Sequence, residues 1–145
     1  MRGKIYFDDL QWEQNYHPLR AYEQSKLANV YFTRHLALSL PRNVKTASLH
    51  PGVVRTEIAR YVFDHYTLLK PALWLFFFIP IMTVMKSQQQ GAQTSLHCCL
   101  CPFEELESGK YYSDCAVKAE AFPNEQWKDE AKKLWELSEK LVQRY

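Results

Sequence analysis

The sequence predicts an α/β fold in which helices alternate with parallel strands in one domain. Three observations support this prediction. Stretches with helical spacing of apolar residues alternate with short strand-like runs. A Pro-Gly pair stops the first of these runs. The 145 residues, 47% hydrophobic and 23% charged, suit one globular domain and contain no repeat or low-complexity linker.

The longest predicted element is a helix over residues 21 to about 40, which Pro41 ends. Residues 1–20 before it are polar and aromatic and include Pro18, so we expect an extended leading segment with a brief strand at residues 5–7. The helical prediction rests on apolar residues at helical intervals, namely Leu27, Val30, Tyr31 and Leu38.

Two strands and two more helices are predicted after this helix. Residues 44–49 read as the first strand and residues 109–113 as the second. Between them, residues 58–63 favour a short helix and residues 87–100 a longer one. On one side of the longer helix we expect the apolar residues Ala92, Leu96 and either Cys99 or Leu100.

A final helix is predicted from an N-cap at Asn124 to about residue 143. Its charged residues form a face suited to solvent. Its apolar stripe consists of Ala131, Leu134, Trp135, Leu137 and Leu141.

Residues 71–85 form a strongly apolar run whose role the residues alone leave open. The run has 15 residues with Pro80 among them, whereas a membrane-spanning helix needs roughly 20 apolar residues. Three interpretations remain: a buried helix, a flap over an apolar ligand, and a segment lying in a membrane interface.

Tyr22 and Lys26 form a candidate proton-transfer pair. Their spacing places them one turn apart on one face of a helix. The ammonium charge favours the phenolate form, which makes the tyrosine usable as a general acid or base. The same spacing recurs at Tyr66 and Lys70, and isolated pairs of this kind are usually solvated surface features. The architecture favours the first pair, because its helix leads into a strand and a Pro-Gly turn.

Composition argues against several functions. The net charge is +2 and no basic stripe is interleaved with aromatic residues, so we expect no nucleic-acid partner. The four cysteines lack a second pair at metal-ligand spacing, so we expect buried free thiols in a reducing compartment and no metal site. The amino-terminal residues contain no apolar stretch of the kind that a secretory signal needs.

Short motifs over nearly the whole chain occur in the order of one enzyme family. They are Gly3-Lys4-Ile5, Asp8-Asp9-Leu10, Tyr22-Glu-Gln-Ser-Lys26-Leu-Ala-Asn29, His50-Pro51-Gly52-Val53-Val54-Arg55-Thr56, Gly91-Ala92-Gln93-Thr94-Ser95, Ser108-Gly109-Lys110-Tyr111, Ser113-Asp114-Cys115 and Lys133-Leu134-Trp135. Together they resemble the carboxyl half of the short-chain dehydrogenase/reductases, and within that family the retinol dehydrogenase-like branch.

The resemblance implies the carboxyl-terminal part of a Rossmann-type doubly wound parallel sheet, with the first βαβ units missing. Residues 1–145 would form one partial dehydrogenase domain. It would contain a catalytic helix, a Pro-Gly loop, a substrate flap at about residues 57–86, and a carboxyl-terminal strand and helix. The resemblance thus favours the flap among the three interpretations of the apolar run.

The resemblance also implies roles for individual residues. Tyr22 would exchange a proton with the substrate oxygen, and Lys26 would hydrogen-bond the nicotinamide ribose. The Pro-Gly backbone and the Thr56 hydroxyl would hold the nicotinamide end, although Thr56 could equally cap a helix. The implied cofactor is NADP(H), with NAD as the alternative, and its binding residues would be Tyr22, Lys26, Pro51, Gly52, Val53 and Thr56.

The implied function is that of a fragment of an NADP(H)-dependent oxidoreductase. It would interconvert an apolar alcohol and its aldehyde or ketone, with retinol and retinal the best candidates. We expect an intracellular protein, with membrane contact through residues 68–85 and the endoplasmic reticulum as the favoured membrane.

A non-catalytic alternative rests on what the 145 residues lack. The four glycines lie far apart, so they form no Gly-rich phosphate loop. The 21 residues before Tyr22 show no counterpart of the family's catalytic serine. The alternative is a truncated product with a membrane-surface or partner-binding role, and for a fragment we expect the isolated chain to be unstable or molten.

Overall fold

The computed structural model describes residues 3–55, 85–118 and 127–143. Its regular elements in chain order are a 3₁₀ helix Phe7–Asp9, α1 Pro18–Ser39, β1 Ala47–His50, α2 Gln88–Leu100, β2 Lys110–Ser113, β3 Ala116–Val117 and α3 Trp127–Val142. Several predictions lie outside the described residues: those for Thr56, the Tyr66–Lys70 pair, the short helix at 58–63, the flap and apolar run up to residue 84, and the N-cap at Asn124.

Helix α1 begins earlier than predicted, at Pro18. The backbone N–H of Arg20 donates to His17 Nδ1 at 3.4 Å, so His17 caps the first turn. Pro18 occupies the first helical position, where its missing N–H costs no helical hydrogen bond. The prediction that Pro18 belongs to an extended segment was therefore wrong.

The leading segment contains a 3₁₀ turn, and the strand predicted at residues 5–7 is wrong. A buried side-chain amide supplies hydrogen bonds that a neighbouring strand would otherwise supply. The Tyr6 N–H donates to Gln24 Oε1 at 3.0 Å, and Gln24 Nε2 donates to the Leu10 carbonyl at 3.0 Å. Gln24 thereby ties the segment to α1.

The three strands form one mixed sheet in the order β1-β2-β3. A two-residue turn, Asp114 (φ 54°) and Cys115 (φ 58°), joins β2 to β3 and makes that pair antiparallel. In this mixed sheet β1 and β2 are then the parallel pair. The α/β class is confirmed, but β3 was not predicted, because Asp-Cys is not one of the usual Asn-Gly or Asp-Gly turn pairs.

The chain divides into two compact units. The first comprises Met1–Ser48, Pro102–Tyr112 and Val117–Tyr145, and the second comprises Leu49–Cys101 and Ser113–Ala116.

The core of the first unit lies where α1 packs on α3. Its buried members are Ile5, Leu27, Tyr31, Ala131 and Leu134. The phenol of Tyr31 donates a 2.7 Å hydrogen bond to Glu130 Oε2 on α3, so its buried hydroxyl is satisfied. Leu38, which shares the helical spacing of Leu27 and Tyr31, is 69% exposed. Of the predicted stripe on α3, Ala131 and Leu134 are buried, whereas Leu141 is exposed.

In the second unit, α2 begins with a capping box. Ser87 Oγ accepts from the Gln90 N–H at 3.2 Å, and Gln90 Oε1 accepts from the Ser87 N–H at 2.8 Å. The helix buries Gly91 and Thr94. The apolar side predicted for this helix was wrong, because Ala92, Leu96, Cys99 and Leu100 are all exposed, Leu100 to 77%.

Across the described ranges, no helix combines the length and apolar character that crossing a membrane requires.

Candidate functional site

Tyr22 and Lys26 lie near the start of α1 in the first unit, one turn apart. Lys26 Nζ lies 5.3 Å from the centroid of the Tyr22 ring, a cation–π distance. Tyr22 is 60% exposed, so the residue is accessible from solvent. The predicted proximity of the two side chains is observed, while their catalytic role stays a prediction.

The first turns of α1 explain why this pair faces outward. Gln24 lies between the two residues in sequence and is buried by its bonds to the leading segment. Residues two apart on a helix point to well-separated faces, so burial of Gln24 leaves Tyr22 and Lys26 on the exposed side. Ser25 Oγ donates to the Tyr22 carbonyl at 2.8 Å, a bond to the helix backbone.

The Pro-Gly loop lies in the second unit, directly after β1. Gly52 has a φ of +88°, a conformation that side chains other than glycine rarely adopt. Beyond it, Val53 and Arg55 pair with Lys86: the Lys86 N–H donates to the Val53 carbonyl at 2.8 Å, and the Arg55 N–H donates to the Lys86 carbonyl at 3.0 Å. These two bonds form a short parallel bridge centred on Val54 and Lys86.

Sequence reasoning missed Lys86 and its partner Asp114. The Lys86 ammonium group forms an ion pair with the Asp114 carboxylate, which lies in the β2–β3 turn. The two residues are 28 positions apart in the sequence. No helical or strand periodicity reports a contact over such a separation, so no local signal could have revealed it.

The predicted cofactor residues thus fall into three groups. Tyr22 and Lys26 are together in the first unit, and Pro51, Gly52 and Val53 are together in the second. Thr56 lies outside the described residues. His50, at the end of β1, is exposed.

An apolar groove lies between α1 and α3 within the first unit. Its volume is about 480 Å³, within the usual range for small-molecule pockets. Its aromatic wall is Phe32 stacked on Trp135, with ring centroids 5.4 Å apart. The groove was not predicted, since Phe32 is off the apolar stripe that identified the helix.

The four cysteines are free thiols, as predicted, but the prediction that they are buried was wrong. Cys99 and Cys115 are exposed, and Cys98 and Cys101 are only partly buried. Burial, reinforced by the neighbouring Cys101, raises the pKa of the Cys98 thiol and so disfavours its reactive thiolate. Within the part of the chain that the structure describes, no cluster of three or more His, Cys, Asp or Glu residues could hold a metal ion.

Comparison with known proteins finds relatives in the family that the motifs indicate. The chain is 42% identical to human retinol dehydrogenase 14 over 146 aligned positions, which cover 97% of this chain and 40% of that protein. It is 45% identical to human retinol dehydrogenase 12 over 141 positions, covering 97% of the chain and 42% of that protein. Human retinol dehydrogenase 11 is 42% identical over 94% of the chain and 40% of its own length.

These comparisons confirm the predicted resemblance: the chain belongs to the short-chain dehydrogenase/reductases. Within that family it is of the retinol dehydrogenase-like branch. It spans about 40% of the length of the relatives that it matches. No family model and no solved structure matches the chain.

The described residues suit one end of a nicotinamide cofactor. An accessible phenol beside an ammonium group offers a proton donor and a cation to ribose hydroxyls. The pyrophosphate would need backbone N–H groups at a Gly-rich turn. These 145 residues contain no such turn, so the fit is limited to the nicotinamide end.

Proposed function

We propose that this chain supplies the catalytic helix and the nicotinamide-side loop of an NADP(H)-dependent oxidoreductase. The enzyme would interconvert an apolar alcohol and its aldehyde or ketone, and the proposed substrates are retinol and retinal. The observation that carries the proposal is the accessible Tyr22 with Lys26 over its ring. Similarity to three human retinol dehydrogenases supports the substrate class.

The proposed chemistry of the described residues is proton transfer and positioning. In the oxidising direction the Tyr22 phenolate takes the hydroxyl proton of the alcohol, and in the reducing direction the phenol returns it to the carbonyl oxygen. Lys26 places a positive charge beside the Tyr22 ring and holds the ribose through its N–H donors. The bound nicotinamide supplies the hydride acceptor or donor. NADP(H) is proposed over NAD(H) by analogy with the branch.

We further propose that residues 1–145 are the carboxyl-terminal part of a larger Rossmann-type domain. The coverage of about 40% of each relative supports this. The substrate flap, at about residues 57–86, and Thr56 would complete the nicotinamide side. The proposal implies that the 145-residue chain alone lacks stable packing, so its near-UV circular dichroism should be weak and its thermal transition broad.

The test uses the natural gene product, captured with an antibody raised against residues 129–140. We expect it to reduce retinal with NADPH and to be slower with NADH at equal concentration. Loss of retinal reduction with both nicotinamides would contradict the proposal. Equal or faster reduction with NADH would overturn the cofactor assignment alone.

A further inference from the structure

Lys86 is held against the Pro-Gly loop by its backbone and its side chain. Its N–H and carbonyl bond to Val53 and Arg55 at 2.8 and 3.0 Å. Its side chain then runs along Gly52 and ends at the Asp114 carboxylate. The residue therefore joins the loop to the β2–β3 turn.

The lack of a side chain at Gly52 allows this close approach. A Cβ built on Gly52 would lie 2.9 Å from Lys86 Cδ, 3.0 Å from Cε and 3.1 Å from Nζ. Carbon atoms in contact normally lie about 3.5–4.0 Å apart, so the methylene stem occupies the space that a side chain would need. Gly52 thus meets two requirements at once, since its φ of +88° also favours glycine.

Asp114 is itself fixed by the turn that carries it. Asp114 and Cys115 both have positive φ values, as a type I′ hairpin turn requires. The Cys115 N–H donates to Thr94 Oγ1 at 3.3 Å, and Thr94 is 1% exposed on α2. Ser113 Oγ donates to Asp114 Oδ2 at 3.2 Å. The carboxylate therefore stands on a turn anchored to a buried residue.

We propose that Lys86 and Asp114 are positioning residues, which fix the backbone of Pro51, Gly52 and Val53 where it holds the nicotinamide end of the cofactor. This inference rests on the proposed function. It assigns neither residue a contact with the reacting atoms. Asp114 aims the Lys86 stem at Gly52, and the backbone bridge transfers that constraint to the loop.

The exposure of the pair indicates that its effect is local. The side chains of Lys86 and Asp114 are 29% and 57% exposed, and ion pairs at such positions contribute little to global stability. A positioning role therefore predicts altered cofactor binding at nearly unchanged thermal stability. Loss of an ion pair without a positioning role would change neither cofactor binding nor thermal stability.

The kinetic test introduces Lys86→Met and Asp114→Asn into the natural gene product. Each should raise KM for NADPH about two- to fivefold, the range that coupling within an exposed pair allows, with kcat changed less than about twofold. Lys86→Arg should keep most of the affinity for NADPH, because arginine also has a long side chain and a positive charge. Glu107→Gln, which breaks the exposed Lys110–Glu107 pair of the first unit, is the matched control and should leave KM unchanged.

Asp114→Asn separates positioning from simple charge attraction. If Lys86 only attracted the cofactor phosphates, removing the carboxylate would strengthen that attraction and lower KM. A lowered KM for Asp114→Asn, or an unchanged KM for both Asp114→Asn and Lys86→Met, would overturn the inference.

Amide hydrogen exchange tests the positioning without any catalysis. Asp114→Asn should speed exchange several-fold at the Lys86 and Arg55 amides, the two donors of the bridge, and leave the Leu40 amide at the end of α1 unchanged. The inference would be overturned if the Lys86 and Arg55 amides exchanged without protection in the unsubstituted protein. It would also be overturned if Asp114→Asn accelerated exchange equally at Leu40. If NADPH supports no turnover while these exchange effects appear, the proposed function fails and the positioning of the loop stands.

Discussion

The α1–α3 core and the Pro-Gly loop are held by different kinds of interaction. The core of the first unit consists of apolar side chains from distant parts of the chain, such as Leu27 and Leu134. The loop of the second unit is held by two backbone hydrogen bonds, one ion pair and the close approach of Lys86 to Gly52. Apolar burial is non-directional and tolerant of small shifts, whereas the loop depends on specific geometry. Substitutions should therefore affect stability mainly in the core and binding mainly at the loop.

The largest effect on stability is expected from Leu27→Ala, which truncates a side chain only 4% exposed in the α1–α3 core. Loss of apolar contact and the cavity left behind should lower the free energy of unfolding by about 2–5 kcal/mol. Leu38→Ala on the same helix is the matched control, and its exposed side chain should change stability by less than about 0.5 kcal/mol. Denaturant unfolding of the natural gene product measures both, and equal losses would show that the core is not where the structure places it.

Gly91→Ala should have an intermediate effect in the second unit. A Cβ at Gly91 would lie 2.5 Å from Val54 Cγ2, a distance that forces the helix or the bridge to move. The overpacking should outweigh the better helix propensity of alanine and cost about 1–2 kcal/mol. Combining it with Val54→Ala should recover part of the loss, and Gln89→Ala on the exposed side of α2 should be nearly neutral. A stabilising Gly91→Ala would contradict the tight packing at Val54.

Tyr31→Phe should have the smallest effect near neutral pH, about 1 kcal/mol from the lost hydrogen bond to Glu130. Its clearest signature is the pH dependence. Burial, reinforced by the Glu130 hydrogen bond, raises the pKa of Tyr31 above its usual value of about 10. Ionisation in alkali then favours the unfolded state, so the contribution is complete below about pH 10 and declines above it. Between pH 9 and 11 the denaturant midpoint of the phenylalanine variant should fall less than that of the unsubstituted protein. An equal fall in both proteins would show that the ionisation of Tyr31 is not the cause.

The same comparison explains what the sequence could predict. Periodic apolar residues identified α1 and α3, because burial of one helix face leaves a 3.6-residue repeat in the chain. The repeat did not show where the core ends, because Leu38 fits the helical spacing and is nevertheless exposed. On α2 the buried residues are Gly91 and Thr94, and neither is a large apolar residue that such a pattern would detect.

The candidate site divides in the same way. Tyr22 and Lys26 could be predicted, because one helical turn is a local distance that spacing fixes. The contacts that support the Pro-Gly loop could not be predicted, since Lys86 and Asp114 meet only after the β2–β3 turn forms. Likewise, the role of Gln24 in holding the leading segment depends on contacts 14 and 18 residues away.

The most direct test of the account is retinal reduction by Tyr22→Phe in the natural gene product. Removing the hydroxyl removes the proposed proton donor but keeps the ring under Lys26, so turnover should fall by about 10²- to 10⁴-fold while NADPH binding persists. Tyr66→Phe, at the second pair of the same spacing, is the control and should retain turnover. Retained turnover in Tyr22→Phe, or its loss in Tyr66→Phe alone, would contradict the assignment of Tyr22 as the catalytic tyrosine.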